Sequence, residues 1–343
     1  MASMWSLLYR LSGTALVSVL ISATVVHGQS PEAFYRGKTL EFYVGYPPGG
    51  GFDIWGRGLI QFMGRHIPGN PNIIIKNMPG AGSLTMLQYM YNRADRSGLA
   101  FGILNSSLIV NAVMDPDAVK VDNTKLTWIG NMSSDVKMCA AWAASGFGSV
   151  EDTRKRKSQW GGISTQGGGY VATNILRHVV GPNVNHVLGY PSNVDIFLAM
   201  ERGEADGYCS GYAIFPLQKP DWLTEKKFNI IVQYGATRHR EMPDTPTIFE
   251  LGIEGKLANA VSFLTLSDQM TRPIFAPPGV PEDRSNALRA AFQATMKDPE
   301  FLAFAASSKM DLDVKDEKEV AAYVRRIAGT PADAVSLAIE LTK

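Results

Sequence analysis

Residues 46–57 of this chain read YPPGGGFDIWGR. An apolar, β-prone run, Leu40–Val44, precedes them, and apolar residues recur at helical spacing from Ile54 to Met63. Glycine and proline are the residues that most often mark turns between such segments. The pattern therefore predicts a strand, a glycine turn and a helix, in that order.

The glycine turn has the features of an anion-binding site. Gly49, Gly50 and Gly51 carry no Cβ, so the backbone can come close to a ligand. The first amides of the following helix would point into the same space, with the positive end of the helix dipole behind them. Because no lysine or arginine lies between Tyr46 and Trp55, we expect backbone amides rather than an ion pair to hold the anion.

Asp53, in the first turn of the predicted helix, has two interpretations. It can cap the helix and pair with Arg57 at position i+4, or it can contact the ligand directly. The three glycines do not continue as the dinucleotide-binding pattern G-x-G-x-x-G, and a carboxylate at this position would repel a pyrophosphate. A dinucleotide site is therefore not expected here.

The second half of the chain repeats the design. Trp160–Ser164 is a predicted strand, Thr165–Gly169 a glycine loop and Tyr170–Val180 a helix. Strand-like and helix-like segments alternate over most of the length, which is typical of α/β layers with a largely parallel sheet. In such sheets ligands bind beyond the carboxyl ends of the strands. Two lobes that face each other with these turns would form a cleft that can close on a small anion.

The N-terminus predicts export. Arg10 precedes an apolar run, Leu11–Val26, and Val26 and Gly28 occupy the −3 and −1 positions of a cleavage site before Gln29. This is the pattern of a secretory signal peptide. An uncleaved anchor is the alternative, although the run is shorter than a membrane span usually needs. We expect a soluble, periplasmic mature protein with two domains.

The charges argue against some classes of partner. Lys and Arg number 33 and Asp and Glu 32, for a net charge of +1. The two signs are interspersed, so neither nucleic acid nor an anionic membrane surface is expected as a partner. The basic cluster Arg154–Lys157 follows Glu151 and Asp152, and it is either a solvated helix end or a docking site. Cys139 and Cys209 could form a disulfide in an oxidising compartment, but the sequence does not give their distance.

Catalytic and metal-binding signatures are not found in the sequence. Its histidines form no H-x-x-x-H pair with an acidic neighbour and no cluster with cysteine at metal-ligand spacing. No G-x-S-x-G elbow occurs; Ser210, before Gly211, is the nearest candidate nucleophile and lacks the first glycine. We therefore expect no enzyme activity, no metal and no cofactor, with a periplasmic enzyme as a minor alternative.

Several segments, taken in order, resemble the extracytoplasmic solute receptors of the tripartite tricarboxylate transporters, the Bug family. The resemblance runs from Phe34 to Asp313. Its most specific motifs are PPGGGFD, NMPGAG (the family has N-R-P-G-A-G), RGEAD (the family has G-G-E-V-D), and AT followed by PDTPT (the family has V-T and P-D-V-P-T). They lie at Pro47–Asp53, Asn77–Gly82, Arg202–Asp206, Ala236–Thr237 and Pro243–Thr247.

The resemblance implies a fold and its division. The fold class is α/β, a two-lobed periplasmic binding protein of the Venus-flytrap kind (type 2-like), with two crossover strands joining the lobes. Residues 1–28 would be the signal peptide, residues 29–131 and 233–343 lobe 1, and residues 132–232 lobe 2. We expect the receptor to be a monomer.

The resemblance also implies a function and a site. The receptor would capture a small carboxylate, either a di- or tricarboxylate or an aromatic acid, in the cleft between the lobes. It would deliver this ligand to the membrane subunits of a tripartite tricarboxylate-type transporter; presentation of the ligand to a signalling partner is the alternative. Backbone amides and ordered waters from one loop per lobe would hold the carboxylate. The residues expected at the site are Pro48, Gly49, Gly50, Gly51, Phe52, Asp53, Asn105, Ser106, Ser164, Thr165, Gln166, Gly167, Gly168, Gly169, Tyr170, Tyr190 and Asp206.

Some roles remain open from the sequence alone. Asp206 lies at the end of the predicted strand Ala205–Cys209, where its carboxylate is either satisfied by loop amides or turned toward the ligand. Ser83 can cap the helix that runs through Tyr91; the family has glycine at this position. Aromatic residues near the loops can line a pocket for an aromatic acid or belong to the core. These are Phe52, Trp55, Tyr170, Tyr190, Tyr208 and Tyr212.

Overall fold

The structure, a computed structural model, describes residues 29–49, 51–163 and 168–343. The predicted signal peptide, residues 1–28, lies outside the described residues. So do five of the predicted site residues: Gly50, Ser164, Thr165, Gln166 and Gly167. Among the helices of the described segments, none is both long and apolar enough to span a bilayer.

Strands form where apolar and β-branched residues run together. Asn72–Asn77, for example, carries three consecutive isoleucines, whose branched Cβ atoms favour an extended backbone. In chain order the described strands are β1 Thr39–Val44, β2 Asn72–Asn77, β3 Ala100–Ile103, β4 Thr127–Asn131, β5 Lys137–Trp142, β6 Ser158–Gly162, β7 Val184–Leu188, β8 Gly207–Gly211, β9 Phe228–Gln233, β10 Pro273–Ala276 and β11 Lys315–Asp316.

Helices follow most strands, and several begin at cap residues. Asp298 accepts hydrogen bonds from the amides of Glu300 and Phe301, and Pro299 takes the first helical position, where the missing N–H has no intrahelical partner to lose. In chain order the described helices are α1 Pro31–Tyr35, α2 Gly51–Met63, α3 Leu84–Asn92, α4 Ser107–Met114, α5 Pro116–Val119, α6 Val150–Lys155, α7 Gly168–Val180, α8 Asn193–Glu201, α9 Ile214–Gln218, α10 Pro220–Thr224, α11 Gly255–Thr265, α12 Glu282–Thr295, α13 Pro299–Ser307, α14 Glu317–Ala328 and α15 Ala332–Leu341.

Two sheets organise the chain, one in each lobe. Sheet 1 has the strand order β11-β4-β10-β3-β1-β2, and sheet 2 has the order β7-β6-β8-β5-β9. The strand–helix–strand units β2-β1-β3 and β7-β6-β8 are parallel. β10 and β5, which follow the two crossings between the lobes, are antiparallel to their neighbours. The α/β fold with two lobes is therefore as predicted, with two mixed sheets.

Helices cover both faces of sheet 1. Side chains alternate along β1, so Phe42 and Val44 belong to a cluster with α2, α12 and α13. Tyr43 points to the opposite face and belongs to a cluster with α3 and α4. A strand that is buried on both faces reads as a continuous apolar run, which is the pattern of Leu40–Val44.

Two crossovers join the sheets and pair with each other. The chain leaves sheet 1 after β4 and enters sheet 2 at β5, and it returns between β9 and β10. The Thr271 amide donates to the Ser133 carbonyl (2.8 Å), and the Asp135 amide donates to the Asp268 carbonyl (2.9 Å). The lobes are thus connected by two antiparallel, hydrogen-bonded segments.

Helix α15 contacts both lobes. It packs on α11 and α4 and also on α7, which belongs to the lobe of sheet 2. Tyr170 Oη donates to the Lys343 carbonyl (2.6 Å), and Asn174 Nδ2 donates to the Leu341 carbonyl (3.1 Å). These bonds tie the first half of α7 to residues 341–343.

Cys139 and Cys209 form a disulfide. They lie opposite each other on β5 and β8, their Cα atoms are 4.0 Å apart, and both are fully buried. The antiparallel register brings together two cysteines that are 70 positions apart. The pairing, an open question from the sequence, is present in the fold.

Candidate functional site

In lobe 1 the predicted site residues gather at the carboxyl edge of sheet 1. β1 and β3 are parallel, and their last residues, Val44 and Ile103, are partners in the register, so the loops that follow leave the sheet side by side. Asn105 Nδ2 donates to Tyr46 Oη (2.8 Å) and to the Gly82 carbonyl (3.3 Å). Asn105 therefore holds together the loops that follow β1, β2 and β3.

The described part of the first glycine turn has a solvent-exposed backbone. Pro48, Gly49 and Gly51 are exposed, and Gly49 has a φ of +82°, which glycine adopts without a Cβ penalty. The rings of Tyr46 and Phe52 stack beneath the turn, with centroids 4.6 Å apart and planes inclined by 12°. Burial raises the pKa of Tyr46, so its hydroxyl stays neutral.

Asp53 braces this turn. Its side chain is buried, and Oδ2 accepts hydrogen bonds from the Gly49 amide (2.8 Å) and Arg57 Nε (2.7 Å). Oδ1 accepts from Asn77 Nδ2 (2.8 Å). Burial alone would raise the pKa of Asp53, but these hydrogen bonds outweigh burial and hold the pKa below its ordinary value. The geometry matches the bracing interpretation of Asp53.

The loop after β2 has a backbone that suits glycine. Ala81 and Ser83 have φ values of +45° and +84°, which residues with a Cβ rarely adopt. Ser83 is buried against Gly45, where an added Cβ would lie 1.8 Å from Ser83 Oγ. The hydroxyl has no hydrogen-bond partner within the described residues. Ser83 does not cap α3 through its side chain, so the predicted cap is wrong.

The loop after β3 contributes two predicted residues. Asn105 is half-buried and Ser106 is buried, whereas Ser107, the first residue of α4, is exposed. The Asn105 side chain also accepts a hydrogen bond from the Ser107 amide (3.1 Å). The loop therefore presents the start of α4 to the space between the lobes.

In lobe 2 the start of α7 packs closely on sheet 2. A Cβ added at Gly168 would lie 2.8 Å from Lys137 Cε, and one added at Gly169 would lie 2.3 Å from the Cys209 carbonyl oxygen. Because α7 crosses directly over β5 and β8, the fold requires glycine at residue 169, where the contact is with backbone; at residue 168 the contact is with the flexible end of the Lys137 side chain.

The aromatic residues of lobe 2 have different surroundings. Tyr208 is buried and donates to Asn193 Oδ1 (2.6 Å), so its hydroxyl is engaged in the packing of α8 on the sheet. Tyr170 is turned toward α15 by its bond to residue 343. Tyr190 and Tyr212 are half-buried and follow β7 and β8 at the same edge of sheet 2 as the start of α7.

Asp206 lies apart from the other predicted site residues. β8 begins at Gly207, later than predicted, so Asp206 precedes the strand and lies at the opposite edge of sheet 2 from Gly211. Its Oδ2 accepts a hydrogen bond from the Gln159 amide (2.7 Å). Of the two interpretations open from the sequence, the structure matches the one in which a backbone amide satisfies this carboxylate.

Four charged residues that were not predicted lie on the crossover segments or next to them. Lys137 Nζ is 2.5 Å from both carboxylate oxygens of Asp268, and burial raises the pKa of Asp268. Asp135 accepts a hydrogen bond from the Ala213 amide (3.3 Å), and burial raises the pKa of Asp135 to about 6. Arg272 is the last residue before β10.

Arg272 covers the aromatic residues of the first turn. Its Cζ lies 4.3 Å from the ring centroid of Phe52 and 5.7 Å from that of Trp55, within the range of a cation–π contact. Burial lowers the pKa of Arg272, and the charge of Asp135 partly offsets this effect. An arginine remains protonated under these conditions, so this guanidinium is a half-buried cation.

A cavity of about 550 Å³ lies between the lobes. Its lining combines hydroxyl, amide, ammonium and glycine groups with an apolar wall: Ser107, Asn111, Lys137, Gly168, Ser267, Thr342 and Lys343, with Val110, Met114, Val171 and Leu264. A recess of about 220 Å³ shares Lys137 and Gly168 with it. The described residues of the first glycine turn do not line this cavity. The structure thus brings the start of α7 and the loop after β3 to one cavity, with the first turn outside its lining.

Only the strand order and direction within the sheets would have identified Lys137 and Arg272 as residues near the site. Both stand outside the glycine loops, at or directly before the first residue of a short strand. In an antiparallel neighbour of a parallel unit, the first residue lies at the edge where the parallel strands end. The sequence signal is therefore a cation at the start of each crossover strand.

Solved structures share this fold at low sequence identity. A TctC solute-binding protein from Polaromonas, without ligand, has a TM-score of 0.69 at 17% identity, covering 89% of this chain and 99% of that one. MatC from Rhodopseudomonas palustris with bound malate has a TM-score of 0.58 at 16% identity, covering 89% and 99%. An R. palustris protein with adipate has a TM-score of 0.60 at 15% identity, covering 88% and 97%.

A family profile also matches the chain. The search of individual curated protein sequences, in contrast, finds none that matches the chain. The profile described as "Tripartite tricarboxylate transporter family receptor" matches residues 63–329, which is most of the length. With that profile and the two-lobed fold both present, the chain belongs to the tripartite tricarboxylate transporter receptor family, a family of solute-binding receptors and not of enzymes.

Proposed function

We propose that this protein is a periplasmic receptor that captures a small carboxylate between its lobes and delivers it to a tripartite tricarboxylate-type membrane transporter. The observation that carries the proposal is the cavity of about 550 Å³ between the lobes. It has the size of a small-molecule site, and both lobes contribute to it.

The lining of the cavity supports an acid as ligand. Lys137, Ser107 and Ser267 supply donors on one part of the wall, whereas Val171 and Leu264 supply an apolar part. A small acid with a hydrocarbon body would satisfy both parts. The malate-bound and adipate-bound proteins of similar fold carry dicarboxylates of different length, which supports the same class of ligand here.

A thermal-shift screen tests the capture of a carboxylate. The probes are malate, adipate, citrate and benzoate, each compared with its amide at the same concentration. A ligand present at 100 times its Kd should add about 2.7 kcal/mol to the free energy of unfolding. We expect at least one acid, and not its amide, to raise the melting temperature. If no acid does so, or if the amides do so equally, carboxylate capture is wrong.

Delivery to a transporter has a separate test. Cells that produce the receptor should take up the acid identified in the screen faster than cells from which its gene has been deleted, and the gene on a plasmid should restore the rate. Uptake that is the same in both strains would contradict the transporter partner and leave the binding function standing.

A further inference from the structure

We propose that Lys137 is the side chain that recognises a carboxylate of the ligand in the cavity between the lobes. The inference rests on the proposed function and deepens it, because it names the group that distinguishes an acid from a neutral molecule of the same shape. It also revises the expectation, drawn from the first glycine turn, that backbone amides hold the anion without an ion pair.

The end of the Lys137 side chain is accessible from the cavity. Lys137 is the first residue of β5, directly after the first crossover, and it lines both the cavity of about 550 Å³ and the recess of about 220 Å³. Its side chain is 20% exposed. A Cβ added at Gly168 would lie 2.8 Å from Lys137 Cε, so the stem passes over the start of α7. A ligand that fills the cavity therefore contacts this side chain.

The ammonium group of Lys137 is held in place and keeps a donor for the ligand. Its Nζ lies 2.5 Å from both carboxylate oxygens of Asp268, and the Asp268 carbonyl accepts from the Asp135 amide of the facing crossover (2.9 Å). An ammonium has three N–H groups, so two bonds to Asp268 leave the third for a ligand oxygen. Asp268 itself does not line the cavity, so a ligand there meets the ammonium and not the carboxylate.

The other groups around the cavity favour an anion beside Lys137. Among the residues that the structure describes, no acidic side chain lines the cavity. Ser107 and Gly168, which do line it, are the first residues of α4 and α7 and come from opposite lobes. The first residues of a helix carry the positive end of its dipole. Both helix starts therefore add to the positive potential that Lys137 creates in the cavity.

Lys343 is a second cation in the lining of the cavity, but its surroundings differ. Lys343 is exposed, so its ammonium is strongly hydrated and its charge is screened by salt. Lys137 is half-buried and held by Asp268, and a partly buried charge is screened much less. A carboxylate is therefore expected to gain more from Lys137 than from Lys343.

Lys315 and Asp313 provide a matched control pair. Lys315 is also the first residue of a strand, β11, its side chain is mostly buried, and its Nζ donates to the Asp313 carboxylate. Neither residue lines the cavity. Removing both charges of this pair therefore changes a similar lysine–aspartate contact without changing the proposed site.

The experiment compares two variants by calorimetry. Asp268→Asn keeps the ammonium of Lys137, whereas the double variant Lys137→Met, Asp268→Asn removes both charges and leaves no buried charge without its partner. The probe is whichever of malate, adipate, citrate and benzoate gives the largest thermal shift with the wild type, together with its amide. The double variant should bind the acid about 10- to 100-fold more weakly than Asp268→Asn does and bind the amide equally. The control variant Lys315→Met, Asp313→Asn should bind the acid as the wild type does.

Other outcomes separate the inference from the proposed function. If the double variant binds the acid as tightly as Asp268→Asn does, or loses acid and amide equally, Lys137 does not recognise the carboxylate, although the receptor still binds acids. If the wild type binds none of the four acids, both proposals are wrong. Should Asp268→Asn not fold, the double variant is compared with the wild type, and equal affinity for the acid would then overturn the inference.

Discussion

Ser83 has a conformation and a surrounding that a glycine would tolerate better. Its φ is +84°, which costs a residue with a Cβ about 1–2 kcal/mol. Its hydroxyl is buried with no partner in the described part of the chain, which adds a desolvation penalty. The turn after β2 is therefore under local strain at this residue.

We predict that Ser83→Gly raises the free energy of unfolding by about 1 kcal/mol, because relief of strain exceeds the extra entropy that glycine gives the unfolded chain. Urea denaturation of the purified variant measures this change. Lys309→Gly is the control: Lys309 also has a positive φ, +54°, but it is exposed, so it reports the backbone effect without a buried hydroxyl. A less stable Ser83→Gly protein would show that the hydroxyl makes a stabilising contact.

Asp135 should make stability depend on pH. Burial raises its pKa from 3.8 to about 6, and the charged groups that face it are Asp268, Lys137 and Arg272. The folded state therefore holds a proton that the unfolded state releases, so the free energy of unfolding should fall as the pH rises from about 4 to about 6, by at most about 3 kcal/mol.

Asp135→Asn should remove that fall and make the protein more stable than the wild type at pH 7 but not at pH 4. Denaturation in urea at several pH values measures both proteins. Asp244→Asn, at an exposed position, serves as the control and should keep the pH profile of the wild type. An Asp135→Asn profile that matches the wild type would show that Asp135 is solvated in the folded state.

Single residues at the site were predictable only where they belong to a loop motif. Asn105 was named because the resemblance implies binding residues in its loop, and the structure gives it a central position among three loops. Asp206 was named from the resemblance alone, and in the structure it precedes β8, which begins at Gly207, so it lies at the opposite edge of sheet 2 from Gly211. Arg272 was missed, because its position depends on an antiparallel strand that brings residues from far along the chain to the edge of the cleft.

At the scale of elements, the strands and helices that the sequence predicted are those with clear starts and stops. Helix α13, for example, has a cap at Asp298 and a proline at its first position, and α14 has a cap at Asp316 and a glycine directly after it. β10 was missed because it has four residues and begins with proline, which a sheet tolerates at the first residue of a strand. α11 was missed because it begins at a glycine and has no side-chain cap.

The disulfide gives an element-scale prediction about stability. The bond joins β5 to β8 and closes a loop of 70 residues, so its loss should cost about 4 kcal/mol through the entropy of the unfolded chain. The double variant Cys139→Ala, Cys209→Ala should therefore melt at a lower temperature than the wild type. Because both cysteines belong to sheet 2, we expect the lobe of sheet 2 to unfold first.

Differential scanning calorimetry with and without a reducing agent measures this effect. The reducing agent should lower the melting temperature of the wild type and leave the double variant unchanged, which is the internal control. Equal melting temperatures for the oxidised wild type and the double variant would contradict a stabilising role for the disulfide.

At the scale of the whole molecule, we predict that ligand binding closes the two lobes. The boundaries near Asn131 and Val232 remain predictions, and the hinge would lie in the crossover segments next to them. Small-angle scattering should give a smaller radius of gyration when the acid from the thermal-shift screen is added. Gly168→Val is the control, because the added side chain would meet Lys137 and should block the cavity; its radius should not change. A wild-type radius that is unaffected by a bound acid would indicate a rigid site.

The pairing of the two crossovers has a consequence for the kind of motion that would close the lobes. Two antiparallel segments joined by hydrogen bonds, Thr271 to Ser133 and Asp135 to Asp268, resist sliding along each other and resist separation, but they can bend together. We therefore expect the motion of one lobe against the other to be mainly a rotation that bends both segments together. Ligands of different length would stop the rotation at different points, so the angle between the lobes would act as a measure of the size of the acid.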